Sequence, residues 1–307
     1  MSHHSIGGIR LCLGGNVFGW TADEDASFAV LDAFYEAGGR MIDTAQGYSV
    51  WAEGHVGGES EAVIGKWLAA RGNRKEMLVA TKTGMMGQPG DLAPHKVAAE
   101  LEKSLERLQT DYVDLYYAHR DEETTPLDEI LAGFNALEKQ GKARELGASN
   151  FSAARLEKAF EAAEAFGYVP FTVLQNEYNL VRREQFGPEL QAVCRKHHIA
   201  HLPYFGLAAG FLTGKYRSEA DFKKSARGSG MDRFFPRGLP VLAVMDEIAA
   251  ETGASLPAIA LAWLNAQPGI AAPIASARTV DQLPALLEGA ALELSEEQLA
   301  RLTAAGD

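Results

Sequence analysis

The sequence has little cysteine, no long apolar segment and no recognisable secretory signal. Its 307 residues include only Cys12 and Cys194, which are too few for a disulfide framework and lack a metal-ligand spacing. No apolar run reaches the ~18 residues of a membrane span, and the opening MSHHSIGG lacks the charged and apolar regions of a signal peptide. We therefore expect a cytoplasmic protein in a reducing compartment. His3 and His4, whether native or added, are left out of the fold prediction.

Positive charge is also scarce, since 29 lysines and arginines stand against 41 aspartates and glutamates and the formal net charge is -12. The sequence has no run rich in lysine and arginine, so nucleic acid is not an expected partner. A few local cations could still hold a small anionic ligand. The hydrophobic fraction of 47% and the charged fraction of 23% are those of an ordinary globular protein, which argues against a disordered chain.

Short apolar runs alternate with longer amphipathic segments along the whole chain, which is typical of parallel strands joined by crossover helices. About eight such units follow one another without a linker, which predicts a single (β/α)8 TIM barrel domain over 1–307. The alternative is an open doubly wound sheet, but GGNVFG stands where its fingerprint G-x-G-x-x-G belongs. A long connection at 207–238 predicts a lid or binding loop. The predicted strands are 11–13, 41–43, 77–82, 112–119, 143–148, 172–177, 201–204 and 269–273.

Capping residues predict where several helices begin. The segments Thr21–Glu24, Thr279–Gln282 and Ser295–Gln298 have the capping-box pattern, in which two side chains satisfy free amides at a helix start. Thr125, which precedes a proline, and Ser152 are predicted single caps. The predicted helices are about 22–37, 60–70, 94–108, 126–140, 153–166, 185–197, 240–252 and 258–267, followed by two that start near 279 and 295.

Titratable side chains end three successive predicted strands. Asp43 ends the second strand in the stretch MIDTAQGY, Lys82 ends the third, and His119 ends the fourth. Tyr48 follows in the loop after Asp43. The active site of such a barrel lies at the C-terminal ends of its strands, so the four groups are expected at one mouth. Each alone has an ordinary alternative as a cap, a packing residue or a satisfied core histidine, but their coincidence favours a catalytic site.

The four side chains suggest proton transfer to a carbonyl oxygen. An ordinary tyrosine has a pKa of ~10, and an adjacent ammonium lowers that value because it favours the phenolate. We expect Lys82 to supply this charge and Asp43 to hold Lys82 in place. Tyr48 would act as general acid, with His119 as a second donor to the same oxygen. No nucleophile triad or metal cage accompanies them, so a reduced nicotinamide is the expected hydride source.

Several segments together resemble the aldo-keto reductases. They are DTAQGY, GGESEAVIGKWL, ATK, YYAHRDEETTP, GASN, QNEYNL, PYFGLAAGFLTGKY and PIASAR, and they follow one another from about Leu11 to the C-terminal helix. The resemblance implies a barrel enzyme that reduces an aldehyde or ketone with NADPH in preference to NADH, as a monomer or weak homo-oligomer. It also implies a catalytic tetrad of Asp43, Tyr48, Lys82 and His119. Tyr48 would be its proton donor, and His119 would orient the carbonyl.

The resemblance also implies cofactor contacts at named positions of this chain. Gln282 fits a capping box as well as a place near the adenine, and Leu286 stands where many relatives have Asn. Phe205 and Gly206 replace a more common Ser-Pro. The positions that match contacts to the nicotinamide are Ser149, Asn150 and Gln175 for its carboxamide and Tyr204 for its ring. Those for the pyrophosphate are Leu212, Gly214, Lys215 and Arg217. Ser276 and Arg278 match contacts to the 2'-phosphate, and Gln282 matches a position near the adenine.

Three apolar side chains in loops after predicted strands, Trp20, Trp51 and Met85, could line a substrate pocket or simply pack. The histidines within 197–201 lie at the opposite end of the predicted barrel with no clustered carboxylate or cysteine, so we expect no metal site there. One alternative function is a regulatory module that binds cofactor but turns over little. Another is a lyase with Lys82 as a Schiff base, which the nearby acid disfavours. The sequence does not name the substrate.

Overall fold

The structure is a computed structural model that describes residues 7–224 and 228–306. His3, His4 and the segment 225–227 of the predicted binding loop lie outside the described residues. Within them, parallel strands form one sheet in the order β7-β6-β5-β4-β3-β2-β1-β8. The strands are Cys12–Gly14 (β1), Met41–Asp43 (β2), Leu78–Thr83 (β3), Val113–Ala118 (β4), Ala143–Ser149 (β5), Val173–Gln175 (β6), Ala200–His201 (β7) and Ile274–Ala275 (β8).

Backbone hydrogen bonds join the two ends of this sheet. The amide of His201 donates to Gly269 at 3.0 Å, and the amide of Ala271 donates back to His201 at 2.9 Å. Further along, the Ile274 amide donates to Pro203 at 2.9 Å. The sheet therefore curls until β7 and β8 meet, which confirms the predicted (β/α)8 barrel. The doubly wound alternative is wrong.

Helices cover the outside of the barrel, and a second apolar cluster fills its interior. The interior cluster contains Cys12, Met41, Leu115, Tyr117 and Val173, all buried on the inward faces of strands. None of the helices in the described part of the chain combines the length and apolar character that a membrane span requires. The helices are Glu24–Glu36 (α1), Glu59–Arg71 (α2), Pro94–Leu108 (α3), Leu127–Lys139 (α4), Ala153–Phe166 (α5), Pro188–Lys196 (α6), Phe235–Thr252 (α7), Leu256–Ala266 (α8), Leu283–Ala291 (α9) and Glu296–Ala305 (α10).

The N-caps predicted from short sequence patterns agree with the structure at some helices and differ at others. Ser152 caps α5 and Ser295 forms a full capping box on α10, as predicted. The prediction at Thr21 is wrong, because the Asp23 carboxylate accepts the Ala26 amide and starts α1 two residues later. The predicted cap at Thr125 is also wrong, since the helix N-cap is the next residue, a proline.

Two segments near the C-terminal end differ from their predicted bounds. The last strand is Ile274–Ala275 and not 269–273, because Pro273 has no amide to donate and the ladder to β1 begins with Ile274 opposite Cys12. Helix α7 begins at Phe235, so Pro240 lies inside it and does not start it. The long connection after β7 therefore ends before Phe235, and its described part contains short 3-10 turns such as Ala208–Thr213.

Helices α2 and α3 pack closely at Gly65, on the outside of the strands that bring Asp43, Lys82 and His119 to the site. A Cβ added at Gly65 would lie 2.1 Å from the Arg107 carbonyl oxygen. We therefore expect Gly65→Ala to lower the free energy of unfolding by about 1–3 kcal/mol, although alanine is the better helix former by ~1 kcal/mol.

Urea denaturation of the two proteins measures this difference. Gly230→Ala is the control, because a Cβ there meets no other atom within 4 Å and the residue is not in a left-handed conformation. We expect the control to be neutral or slightly stabilising. Equal stability of Gly65→Ala and the natural protein would show that the helices separate without cost.

Candidate active site

Asp43, Lys82 and Tyr48 form one hydrogen-bonded cluster at the C-terminal ends of β2 and β3. The Lys82 ammonium donates to Asp43 Oδ2 at 2.6 Å, to the Tyr48 hydroxyl at 2.7 Å and to the Thr44 carbonyl at 2.8 Å. The Tyr48 hydroxyl in turn donates to Asp43 Oδ2 at 2.9 Å. Lys82 is fully buried, so its charge depends on these oxygens and not on water.

The second carboxylate oxygen of Asp43 is bound from across the barrel. Gln175, at the end of β6, donates its amide to Asp43 Oδ1 at 2.8 Å. Both residues are buried, so the contact fixes the plane of the carboxylate that faces Lys82 and Tyr48. Sequence reasoning assigned Gln175 to the nicotinamide and missed this bond, because no local pattern relates residues on strands β2 and β6.

The ionisation of Tyr48 differs from the sequence prediction. Burial and the Asp43 carboxylate raise the pKa of Tyr48 well above the ordinary phenol value, so the predicted lowering by Lys82 is wrong for the protein alone. Burial also lowers the pKa of Lys82, and Asp43 opposes that effect. The phenol thus keeps its proton at neutral pH while it contacts an ammonium that would stabilise its anion.

His119 lies beside Tyr48 at the mouth, with their ring centroids 6.0 Å apart. It directly follows β4, and its backbone amide donates to the Thr83 carbonyl at 2.7 Å. Burial, with the charges of Lys82 and Arg120, holds the pKa of His119 well below the ordinary value, so the ring is neutral at physiological pH. Its Nδ1 atom is buried and has no hydrogen-bond partner within the described residues. A neutral imidazole keeps one ring N–H, which suits a donor to a substrate oxygen.

All four predicted nicotinamide contacts form a chain next to His119. The Asn150 amide donates to the His119 carbonyl at 2.9 Å and to Ser149 Oγ at 3.0 Å, and its oxygen accepts the Tyr204 hydroxyl at 2.8 Å. Ser149 Oγ donates to the Gln175 carbonyl at 2.7 Å. Asn150 has a φ of 59, a left-handed conformation that directs its short side chain back toward β4.

The predicted pyrophosphate residues differ in their exposure and in whether their side chains already bind other residues. Leu212 is buried, and Gly214 ends the 3-10 turn Ala208–Thr213 with a φ of 79. Lys215 is exposed, and the only contact of its ammonium in the described residues is with the Tyr216 ring, 5.0 Å away. Arg217 instead binds both carboxylate oxygens of Asp246, at 2.7 and 2.8 Å, so phosphate binding by Arg217 would require the exchange of this ion pair.

The segment after β8 brings a free cation to the same end of the barrel. Ser276 Oγ donates to Asn16 Oδ1 at 2.6 Å, which ties β8 to the loop after β1, and the Asn16 contact was missed by sequence reasoning. Arg278 is exposed, and its guanidinium has no hydrogen bond or ion pair with the described residues. Gln282 accepts the Arg278 amide at 3.0 Å, while Leu286 is buried in the core.

The predicted substrate-pocket residues meet at the mouth beside Tyr48. Trp51 stands edge to face against Trp20 at 5.6 Å between centroids, and against Tyr48 at 6.2 Å. Met85 packs against Gly47, where an added Cβ would lie 2.5 Å from its sulfur. The phenol that contacts Lys82 is therefore flanked by an apolar aromatic wall. The sequence alone did not distinguish this arrangement from ordinary packing of the two tryptophans.

The histidines considered for a metal site lie apart from this mouth. His197 stacks on Phe160 with centroids 4.0 Å apart and contacts Glu157. His201 is buried, and its Nε2 accepts the Asn176 amide at 3.3 Å. Within 7–224 and 228–306, no group of three or more histidine, cysteine or acidic side chains is arranged to hold a metal ion.

Comparison with known proteins places this site in a family. The model of the Aldo/keto reductase family matches residues 10–307. The chain belongs to the aldo/keto reductase family. It is 33% identical over 303 residues to an uncharacterized oxidoreductase, YrpG, of Bacillus subtilis, covering 95% of this chain and 90% of that protein.

Two fungal relatives have more specific names. An aryl-alcohol dehydrogenase [NADP(+)] of Phanerodontia chrysosporium is 32% identical over 298 residues, covering 91% of this chain and 75% of that protein. A norsolorinic acid reductase of Emericella nidulans is 32% identical over 317 residues, covering 96% of this chain and 78% of its own length. The names of these relatives and the family match identify this aldo/keto reductase as an oxidoreductase.

Removal of the Asp43 charge tests whether the carboxylate is needed to bury Lys82. We expect Asp43→Asn to lower the free energy of unfolding by about 3–5 kcal/mol near neutral pH, because a buried ammonium loses its counter-charge. The pKa of Lys82, already lowered by burial, falls further in this variant. Below the ordinary lysine value of ~10.4 the unfolded chain then binds more protons than the folded chain, so the stability of Asp43→Asn should rise with pH.

Urea unfolding of Asp43→Asn between neutral and alkaline pH measures this dependence. The double variant Asp43→Asn with Lys82→Met is the control, since it removes the stranded charge and should recover part of the stability. A loss that is the same at every pH, with no recovery in the double variant, would contradict the role given to Asp43.

Proposed function

We propose that this aldo/keto reductase reduces an aldehyde or ketone to an alcohol with NADPH, reversibly, and that Tyr48 is the general acid. The observation that supports the proposal is the position of the Tyr48 hydroxyl, 2.7 Å from the Lys82 ammonium and 2.9 Å from Asp43 Oδ2. A phenol held protonated, next to a cation that stabilises its anion, is suited to give up its proton only while charge develops on a nearby oxygen.

The proton balance follows from these contacts. Tyr48 gives its proton to the carbonyl oxygen, and the resulting phenolate is stabilised by Lys82 through the hydrogen bond already present. His119, which is neutral, donates a ring N–H to the same oxygen and orients it. Asp43 and Gln175 keep the ammonium in place without touching substrate. When bound, a reduced nicotinamide supplies the hydride that the carbonyl carbon receives.

The donor set at the mouth fits an anionic dinucleotide. Lys215 and Arg278 are exposed cations whose charges are not paired with a carboxylate of the described residues. We propose that Lys215, with the Leu212–Gly214 backbone, holds the pyrophosphate and that Arg278 and Ser276 hold the 2'-phosphate. Tyr204 would stack on the nicotinamide ring, with Ser149, Asn150 and Gln175 around its carboxamide, and Gln282 would lie near the adenine.

We propose an aromatic or otherwise apolar carbonyl compound as the substrate class. The edge-to-face pair Trp20 and Trp51 lies next to Tyr48, and Met85 packs into the same loop. Planar apolar ligands bind well against such aromatic walls. The names of two relatives, an aryl-alcohol dehydrogenase and a norsolorinic acid reductase, agree with a preference for aromatic compounds.

The role of Tyr48 is tested by Tyr48→Phe. We expect kcat for NADPH-dependent reduction of benzaldehyde to fall by at least about 100-fold, because the proton donor is gone. Binding of NADPH, followed by quenching of tryptophan fluorescence, should stay near normal. Tyr168→Phe, on the outside of the barrel after α5, is a matched control that should keep full activity. Near-normal reduction by Tyr48→Phe would overturn the assignment of the proton donor.

The choice of cofactor is tested by Arg278→Ala. We expect the KM for NADPH to rise by at least about tenfold, because a charge-assisted contact to the 2'-phosphate is lost. The KM for NADH, which lacks that phosphate, should change by less than about twofold and serves as the internal control. Equal effects on the two cofactors would remove the proposed role of Arg278.

A further inference from the structure

Arg120 directly follows His119 at the carboxyl end of β4 and is exposed. Its side chain lies over the loop after β3, since a Cβ added at Gly87 would come within 2.8 Å of the Arg120 Cδ. Its charge acts electrostatically on His119 and also on Tyr204, at the end of β7. Arg120 therefore presents its charge to the mouth of the barrel, next to the ring proposed to hold the substrate oxygen.

The Arg120 guanidinium has no hydrogen bond or ion pair with the described residues. Among the other arginines that the structure describes, all except Arg195, Arg233 and Arg278 form a hydrogen bond or ion pair with a carboxylate or a backbone carbonyl. Arg195 is in the last turn of α6, and Arg233 stacks over the ring of Phe205 at 5.2 Å. Among residues 7–224 and 228–306, Arg120 has neither an ion pair nor a stacking partner.

The lack of a partner does not come from a lack of acids. The chain has 41 acidic residues against 29 basic ones, and acids directly follow Arg120. Asp121 instead accepts the Arg155 guanidinium at 2.9 Å, and Glu122 accepts the amides of Thr124 and Thr125. Glu123, the third acid, is exposed and forms no ion pair with Arg120. Within the described part of the chain, the five donors of the Arg120 guanidinium are therefore open to a ligand.

The cofactor is not the natural partner of this cation. The proposed phosphate contacts, Lys215 and Arg278, follow β7 and β8, whereas Arg120 follows β4. In the sheet, β4 is separated from β8 by β3, β2 and β1. Arg120 is adjacent to His119, so a ligand that reaches both has its carbonyl at the catalytic side chains and its anionic group a short distance beyond.

We propose that Arg120 is a specificity-determining residue that binds the carboxylate of a carbonyl substrate, so that the preferred substrates are aldehydes or ketones with an apolar, aromatic body and an acidic group. This inference rests on the proposed reductase function. The planar guanidinium binds a carboxylate through two parallel hydrogen bonds, which strengthen as the ligand displaces water from the mouth. Trp20 and Trp51 would contact the apolar body.

Steady-state kinetics with NADPH compare 3- and 4-carboxybenzaldehyde with benzaldehyde in the natural protein and in Arg120→Gln. We expect at least one carboxylated aldehyde to have a higher kcat/KM than benzaldehyde. Arg120→Gln should lower kcat/KM for that aldehyde by at least about tenfold, mainly through KM, because a charge-assisted contact is lost. Reduction of benzaldehyde and the KM for NADPH should change by less than about twofold. Arg120→Lys should retain part of the preference, since it keeps the charge without the fork.

Arg195→Gln is the matched control, because it removes an unpaired guanidinium outside the mouth and should leave the ratio of the substrates unchanged. Equal losses for charged and neutral aldehydes, or none for either, would overturn the assignment. Failure of the natural protein to reduce any aldehyde would contradict the proposed function itself. In that case, the role of Arg120 is tested by the binding of benzoate and of benzyl alcohol, measured by quenching of tryptophan fluorescence. If Arg120→Gln weakens the binding of benzoate alone, the result supports the anion site. Unchanged binding of both compounds contradicts it.

Discussion

A fully buried ammonium, that of Lys82, is the constraint on which the site depends. Removing such a charge from water costs several kcal/mol, and the protein offsets this cost with a carboxylate, a carbonyl and a phenol around one nitrogen. Parallel pairing makes this arrangement possible: Asp43 on β2 lies opposite Ala80 on β3, and Lys82 follows two residues later on the same inward face. The barrel therefore has to bring the ends of β2 and β3 into register before Tyr48 gains its two partners.

The other half of the mouth is organised by hydrogen bonds and not by charge. The Asn150 side chain accepts a hydrogen bond from the Tyr204 hydroxyl and donates one to the His119 carbonyl. The segments that follow β4, β5 and β7 are therefore linked through one amide side chain. Gln175, on β6, then connects this half to Asp43. Because the groups proposed to hold the nicotinamide also bind Asp43 and the backbone of His119, we expect cofactor binding to be coupled to the position of the Asp43 carboxylate.

Sequence reasoning predicted what depends on local patterns and missed what depends on pairs of distant residues. Titratable residues at the ends of strands can be recognised because each strand is a short apolar run that stops at a polar side chain. The bond between Gln175 and Asp43 spans 132 positions, and the ion pair of Arg217 with Asp246 forms only after α7 packs, so neither has a local signal. The pKa shift of Tyr48 was predicted in the wrong direction, because burial, which follows from the closed barrel, and the hydrogen bond to Asp43 outweigh the effect of Lys82.

Net charge describes the whole surface, whereas ligand binding depends on where the unpaired charges lie. A chain with a formal charge of -12 would repel a dinucleotide phosphate if its cations were spread evenly. Most described arginines are instead neutralised in ion pairs on the outside of the barrel, such as Arg71 with Asp32 and Arg301 with Glu251. Within the described residues, Arg120 and Arg278 are left unpaired at the C-terminal ends of the strands, so the attraction for anions is concentrated at the mouth. An anion bound there lies within the screening length of these cations, whereas more distant acidic residues are screened.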